Sequence, residues 1–401
     1  MVDGSGLLPV GRRVAYWRGR RNLSQQVFAD RLGKSKSWVD KVERGVRTLD
    51  KVSTLQDIAV VLRIDTSVLL GRDVPPAGTA GQVEGVGRVR EALSTYDIVV
   101  GRPAAPGQVL SVDRLARDVS LAWATFQHAR YPQLTGMLPG LLAGAQRAHA
   151  ADPAAGRVVL VQAYRLTASL LVKLGELELA WLAADRAMTT AAGDVVLVAA
   201  ATVPLVQVLR ASGRAHTARS TALAAAYRIA PPDLDAAPAP VLSLCGTLVV
   251  QAALAAARVG DDRATADLLD EAAAMAARVG DGHDHHRTGF GPVAVDLARV
   301  AAALDLGDAG DAVARHEKTT TCDAWRWLPA EHRAAHLLDA ARAYLHVGDP
   351  VSAGRALLAA ERTAPGEVRH RPAAHAVLIP LAHDPHAPTM IVQLAAALRV
   401  T

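Results

Sequence analysis

Residues 22–47 read NLSQQVFADRLGKSKSWVDKVERGVR, and this stretch constrains the fold more than any other part of the chain. Ser24 and Ser35 each precede a run with helical periodicity. A serine hydroxyl at that position accepts a bond from an otherwise unpaired backbone N–H. Gly33 and Gly45 follow the two runs and tolerate the left-handed backbone that ends a helix. Phe28, Ala29, Leu32, Val39 and Val42 fall at helical spacing and can pack two short helices together, with Ala29 small where they approach. The spacing predicts one helix after Ser24, a turn at Gly33, and a second helix from Ser35 to Gly45. Lys36, Ser37, Asp40 and Lys41 are left on the outer face of the second helix.

Charge is concentrated in the same region. Val10 to Lys51 holds 12 Lys or Arg against 4 Asp or Glu. Residues 1–75 hold 14 against 8, while the whole chain holds 44 against 39, so everything after residue 75 is close to neutral. A localised excess of this kind is what a phosphate-binding module needs. A uniformly basic chain would point only to loose, non-specific association.

With these residues in view, residues 8–71 resemble the helix-turn-helix domain of lambdoid phage repressors and their bacterial relatives, the Xre group. The resemblance implies five helices, at about 8–21, 25–32, 36–44, 50–62 and 66–70. It implies that Gln25 braces a phosphate and helps position a side chain on a base. It places Lys36, Ser37 and Lys41 on the base-reading face, with Ser35 and Trp38 beside them, and matches Arg44 and Arg47 to positions that contact backbone phosphate. Arg18 and Glu43 match a partly buried ion pair between the first and third helices. The reading face departs from the phage pattern, where Gln and small polar residues are common in place of Lys36 and Trp38. Lys36 can read guanine O6 and N7 or meet a phosphate, and Trp38 can equally pack into the core. The operator therefore does not follow from the sequence.

A chain of 401 residues is long for one small domain. Residues 72–82, RDVPPAGTAGQ, read as a Pro/Gly-rich linker, 83–99 as a short helix and 101–108 as a second break. The expected organisation is a DNA-binding domain at 1–71, a linker region at 72–108, and a third segment at 109–401. Apolar residues make up 51% of the chain but aromatics only 4%, an Ala/Val/Leu composition suited to close helix packing. Cys245 and Cys322 lie far apart, which points to a reduced cytoplasmic protein without a disulfide or thiolate-zinc framework. The N-terminus lacks a secretory apolar core. Ala236 to Ala257 carries no charge, but its Pro, Ser, Thr, Gln and many Ala make it a weak bilayer span, and a buried helix is the better reading.

From about residue 109 the pattern changes to paired amphipathic helices. Gly175, Gly213, Gly260, Gly307 and Gly348 each follow one long helical run and precede another, at intervals of 38, 47, 47 and 41 residues. Two-helix repeats of this length are the mark of an α-solenoid with one continuous core and a concave inner face. The segments resemble degenerate tetratricopeptide repeats, although the signature aromatics are mostly missing. The expected class is all-α: a five-helix repressor-type domain followed by stacked helical hairpins. Residues 366–401 are ambiguous, with HRPAAHAVLIPLA and TMIVQLAAALRV each able to add a helix.

His283, Asp284, His285 and His286 are adjacent and invite a metal hypothesis, yet adjacent ligands in one loop lack the fixed geometry of a zinc site. A polar loop between hairpins is expected instead. His332 and His336, four apart, are expected on a solvent face or in capping roles. The segment also resembles actinobacterial Xre-type regulators that carry a helical-repeat C-terminal domain. Many of those proteins have segments similar to Phe290-Gly291-Pro292 and Leu306-Gly307-Asp308, and they tend to show a stretch like Leu328-Pro329-Ala330-Glu331 followed by His336 to Tyr344. No nucleophile, phosphate-loop or dinucleotide motif is present, so neither an enzyme nor a cofactor is expected.

The expected function is that of a sequence-specific transcription regulator binding double-stranded DNA as a homodimer, without membrane association. Its helical repeats would sense a small molecule or peptide, or dimerise. Asn22 is the only asparagine, which weighs against recognition of an extended peptide through paired Asn amides. Candidate effector contacts are Trp123, Tyr164, Arg165, Gln207, Gln251 and Phe290, with Trp325 and Trp327 also considered. The rival reading is a scaffold whose repeats recruit a protein partner to DNA.

Overall fold

The Ser24 hydroxyl accepts the Val27 amide at 3.2 Å, and the Ser35 hydroxyl accepts the Trp38 amide at 3.1 Å. Both serines therefore start helices in the computed structural model, which describes residues 10–21, 23–47, 49, 52–62, 77–96 and 110–400. The chain divides into two units, Met1–Ala80 and Gly81–Thr401. All regular structure among the described residues is helical.

In the first unit, α1 (Val10–Arg20), α2 (Gln25–Leu32), α3 (Lys36–Glu43) and α4 (Val52–Leu62) surround a small core. Val14, Phe28, Ala29, Val39, Leu55, Ile58, Ala59 and Leu62 are buried together. These are the periodic apolar positions of α2 and α3 joined by one face each of α1 and α4. The fifth helix expected at 66–70 lies outside the described residues.

Helix α5 (Ala77–Leu93) starts inside the stretch expected to be linker and stops short of the expected end at residue 99. Its glycines suggest a linker but do not enforce one. Each costs a helix only about 1 kcal/mol, and the two prolines that precede Ala77 in sequence suit a helix start.

The second unit is an α-solenoid of helical hairpins. Its pairs are α6 (Val112–Gln127) with α7 (Tyr131–Ala151), α8 (Pro153–Leu174) with α9 (Leu177–Ala191), and α10 (Val195–Ala211) with α11 (Ala215–Ile229). They continue with α12 (Ala239–Ala257) and α13 (Asp262–Val279), α14 (Pro292–Leu306) and α15 (Ala309–Thr320), and α16 (Ala330–His346) and α17 (Pro350–Thr363). Three further helices follow: α18 (Pro365–Arg369), α19 (Pro372–His383) and α20 (Thr389–Leu398).

One local device makes three of the six hairpins. At the α14–α15 corner, Gly307 adopts φ 90°, and the next amide, Asp308 N–H, donates back to Ala303 O at 2.9 Å. The Asp308 carboxylate then accepts the Asp311 amide at 2.9 Å and caps α15. Glycine ends one helix and aspartate starts the next, so an L-G-D triplet suffices for a reversal. Asp261 and Asp349 repeat the arrangement, capping at Ala264 and Ser352.

The solenoid closes on itself. One apolar cluster combines side chains of α5 to α10 with those of α16 to α20, and a second unites α10 to α14, so α10 contributes to both. In place of the one continuous core expected, the buried apolar side chains form two main clusters that meet at α10, and the first and last hairpins share the larger one. Polar contacts seal the same seam. Lys173 on α8 pairs with Glu331 on α16 and, at 3.1 Å, with Glu367 on α18. Tyr131 on α7 donates its hydroxyl to the same Glu367. The uncharged helix α12 is packed among α10, α11, α13 and α14. It and α8 are long and apolar enough to cross a membrane, and most of each is buried inside the protein.

Candidate nucleic-acid interface and central cavity

On α3, the residues left outward by the apolar stripe are Lys36, Ser37 and Lys41, all exposed, with Ser35 exposed at the cap. Arg44 and Arg47 are exposed just beyond the helix. Arg44 reaches Asp40 at 3.4 Å, a surface pair of little energetic weight. Trp38 packs partly into the core of the first unit, where it is half-buried, and the Arg47 guanidinium lies 6.0 Å from its ring centroid.

The helix is held from behind by a buried carboxylate. Arg18 Nε donates to Glu43 Oε1 at 2.5 Å and Arg18 Nη2 to Glu43 Oε2 at 3.0 Å, while Arg18 Nη1 donates to Leu23 O at 2.7 Å. Gln25 Nε2 donates to the same Glu43 Oε2 at 2.9 Å. The side chain expected to brace a phosphate therefore turns one amide hydrogen inward, where it helps fix α2 on α3. The Glu43 hydrogen bond is the main cause holding the Arg18 guanidinium in its charged form.

In the second unit, the first helices of successive hairpins line a central cavity of about 660 Å³. Trp123, Arg165, Gln207, Gln251 and Phe290 all face it. Arg165 is almost fully buried. It donates to Gln162 Oε1 and to the His286 carbonyl, each at 3.0 Å, and lies 5.7 Å from the Trp123 ring centroid. Desolvation lowers its pKa to about 10, with Asp284 opposing the shift, so it stays protonated at neutral pH. Three buried polar atoms on these residues lack a partner: Trp123 Nε1, Arg165 Nε and Gln251 Oε1.

Three candidates fall elsewhere. Tyr164 is buried between α7 and α8, where its hydroxyl accepts from Gln146 Nε2 at 3.0 Å. Trp325 packs edge-on against His336. Trp327 is largely exposed and borders a separate cavity of about 510 Å³ beside the 281–284 loop. That loop is polar and structural. Asp284 accepts Gln127 Nε2 at 2.8 Å and the Gly289 amide at 3.2 Å, and pairs with Arg287 at 3.3 Å.

Sequence reasoning missed the other cavity residues that carry charge. Arg210 sits on the otherwise uncharged α10, one turn after Gln207, and the i, i+3 spacing of the two was the available signal. His336, expected on a solvent face, is buried on α16, with Nε2 2.9 Å from His316 Nδ1. Burial and then the neighbouring His316 push His336 down to about 3. This face of α16 is buried because His316 on α15 and Trp325 pack against it.

No curated protein matches the sequence significantly. Among solved structures, the chain is similar to PlcR of Bacillus thuringiensis in complex with the peptide PapR7 and DNA. The identity is 13%, over 78% of this chain and 94% of that one, with a TM-score of 0.37. Residues 9–69 match the family model described as a helix-turn-helix domain, and the first unit, with Ser35-capped α3 held on α2, is a domain of that kind.

Proposed function

We propose that the chain is a transcription regulator that docks α3 in the major groove of operator DNA and responds to an effector bound in the central cavity. The observation that carries the reading is the exposed row Lys36, Ser37 and Lys41 on a short helix fixed from behind by Glu43, with Arg44 and Arg47 at its end. This is the geometry in which a recognition helix presents side chains to base edges while flanking cations meet phosphate. One reader of this size buries limited surface, so a cytoplasmic homodimer on two half-sites is proposed. The second unit acts by binding and performs no catalysis. Its cavity, where polar groups converge, supports sensing of a small molecule or peptide over recruitment of a partner. The effector would act by binding one arrangement of the two readers more tightly than the other.

The test is operator binding by the full chain after genome-wide footprinting has located its sites. Replacing Lys36 and Lys41 together with Ala weakens binding by roughly tenfold or more and flattens its salt dependence by about one to two units of slope. Unchanged affinity and salt slope would show that α3 is not the reading helix.

A further inference from the structure

Six cationic side chains and two carboxylates line the central cavity. Four of the cations are matched. Lys173 pairs with Glu331 and Glu367, Arg258 with Asp305 at 3.2 Å, Arg287 with Asp284 at 3.3 Å, and Arg371 with Glu367 at 2.5 Å. The lining carboxylates are matched as well, Glu331 by Lys173 and Asp339 by Arg342 at 3.2 Å. Arg165 and Arg210 are left over. Arg165 meets only neutral oxygens. Arg210, half-buried on the cavity wall, makes no hydrogen bond or ion pair among the described residues.

Desolvation draws Arg210 down to about 10, with Asp305 opposing it, so the guanidinium is still charged at neutral pH. Two guanidiniums with no paired carboxylate, set among Val203, Val250, Leu254 and Leu297 and reached only at longer range by Asp284, Asp305 and Asp339, oppose folding. They are explicable where a ligand supplies the missing negative charge. The remaining wall is apolar and aromatic, with Trp123 and Phe290 on it. Gln207 and Gln251 add amides for neutral polar groups.

We propose that the cavity binds a small organic anion, its carboxylate or phosphate group held by Arg210 and Arg165 and its apolar body resting against Trp123 and Phe290. This rests on the reading of the cavity as the effector site.

The test uses two fluorescent probes with similar aromatic bodies and different charge. They are the anion 8-anilinonaphthalene-1-sulfonate and the neutral N-phenyl-1-naphthylamine, each titrated into the full chain. The anion is expected to saturate a single site. Decanoate displaces it if a carboxylate is the preferred group, and decyl phosphate displaces it more effectively if phosphate is. Arg210→Met weakens the anionic probe by about tenfold or more and leaves the neutral probe unchanged. Its ligand-free Tm equals or exceeds that of the parent, because an unpaired charge has been removed. Arg210→Lys retains much of the anion binding, and Arg210→Gln serves as a second charge-removing variant should the Met variant not fold. Equal anion binding by parent and charge-removed variants overturns the proposal. So does a lowered Tm with both probes weakened alike, which would mark Arg210 as structural. Operator affinity measured with and without the saturating anion separates the two readings. Anion binding at Arg210 without any change at the operator keeps the site and removes its regulatory role. Absence of saturable anion binding removes the site alone.

Discussion

Lys173 and Glu367 stand 3.1 Å apart across the seam where the solenoid meets itself. Glu367 is fully buried. Burial alone would raise its pKa, but Lys173, Arg371 and the Tyr131 hydroxyl outweigh that cost and hold it at about 2. A depressed carboxylate contributes stability above its unfolded pKa and loses it as pH falls toward its folded one. Glu367→Gln should therefore destabilise the second unit by roughly 3 kcal/mol or more, since it strands Arg371 and leaves Lys173 with Glu331 alone. The loss should be greatest near neutral pH and shrink toward pH 2 to 4. Thermal melts of parent and variant across that range check this. A constant difference at all pH values would mean that the charge is not what holds the seam.

The His316–His336 pair predicts a second pH effect, higher on the scale. Below pH 6.5 the unfolded chain takes up a proton that the buried His336 refuses until about pH 3. Stability is thus retained at neutral pH and lost as pH falls through that window. Between pH 6.5 and 5 the loss from this residue should be about 2 kcal/mol. His336→Gln should flatten the dependence of Tm on pH over that interval. Parallel curves for parent and variant would refute the assignment.

In the first unit, Glu43→Ala and Lys41→Ala should both weaken operator binding, for different reasons. Loss of Glu43 strands the Arg18 guanidinium and frees Gln25, costing roughly 3 kcal/mol or more. Loss of Lys41, which is exposed, should leave stability unchanged. Hydrogen exchange of residues 10–62 separates the two: protection falls in the first variant and is retained in the second.

Two glycines should respond differently to a methyl group. At Gly307 no neighbour lies within 4 Å of where a Cβ would stand, and only the positive φ resists, so Gly307→Ala should cost about 1–2 kcal/mol. At Gly246 the added carbon would lie 2.1 Å from Phe290 Cζ. Overpacking there should cost about 1–3 kcal/mol and push Phe290 out of the cavity wall. Chemical denaturation gives both values. Recovery of stability in a Gly246→Ala, Phe290→Leu double variant would identify the ring as the cause.

The helices of the first unit were readable because their signals are local. Ser24, Gly33 and Ser35 act within four residues of themselves, and the Phe28–Val42 stripe needs only a helical period. The Gly-Asp corners were readable for the same reason. Closure of the solenoid was not. Lys173 meets Glu367 across 194 residues of chain, and neither residue stands in a pattern that announces the other. The cavity shared this limit. Trp123, Arg165, Gln207, Gln251 and Phe290 were found by residue type, whereas Tyr164 shows that type alone does not give facing. Arg210 was overlooked because a single charge in an apolar helix reads as a helix end until its neighbours are known.

The closed seam also fixes how many hairpins this protein can have. An open solenoid gains or loses a repeat at modest cost, since each unit touches only its neighbours. Here the third helix of the array, α8, is ion-paired to α16 and α18 near its other end. Inserting or deleting one hairpin would carry Glu331 and Glu367 away from Lys173 and leave buried charges on both sides. The repeat number is thus tied to the matching of the two ends, through Lys173, Glu331 and Glu367 and the apolar cluster they flank.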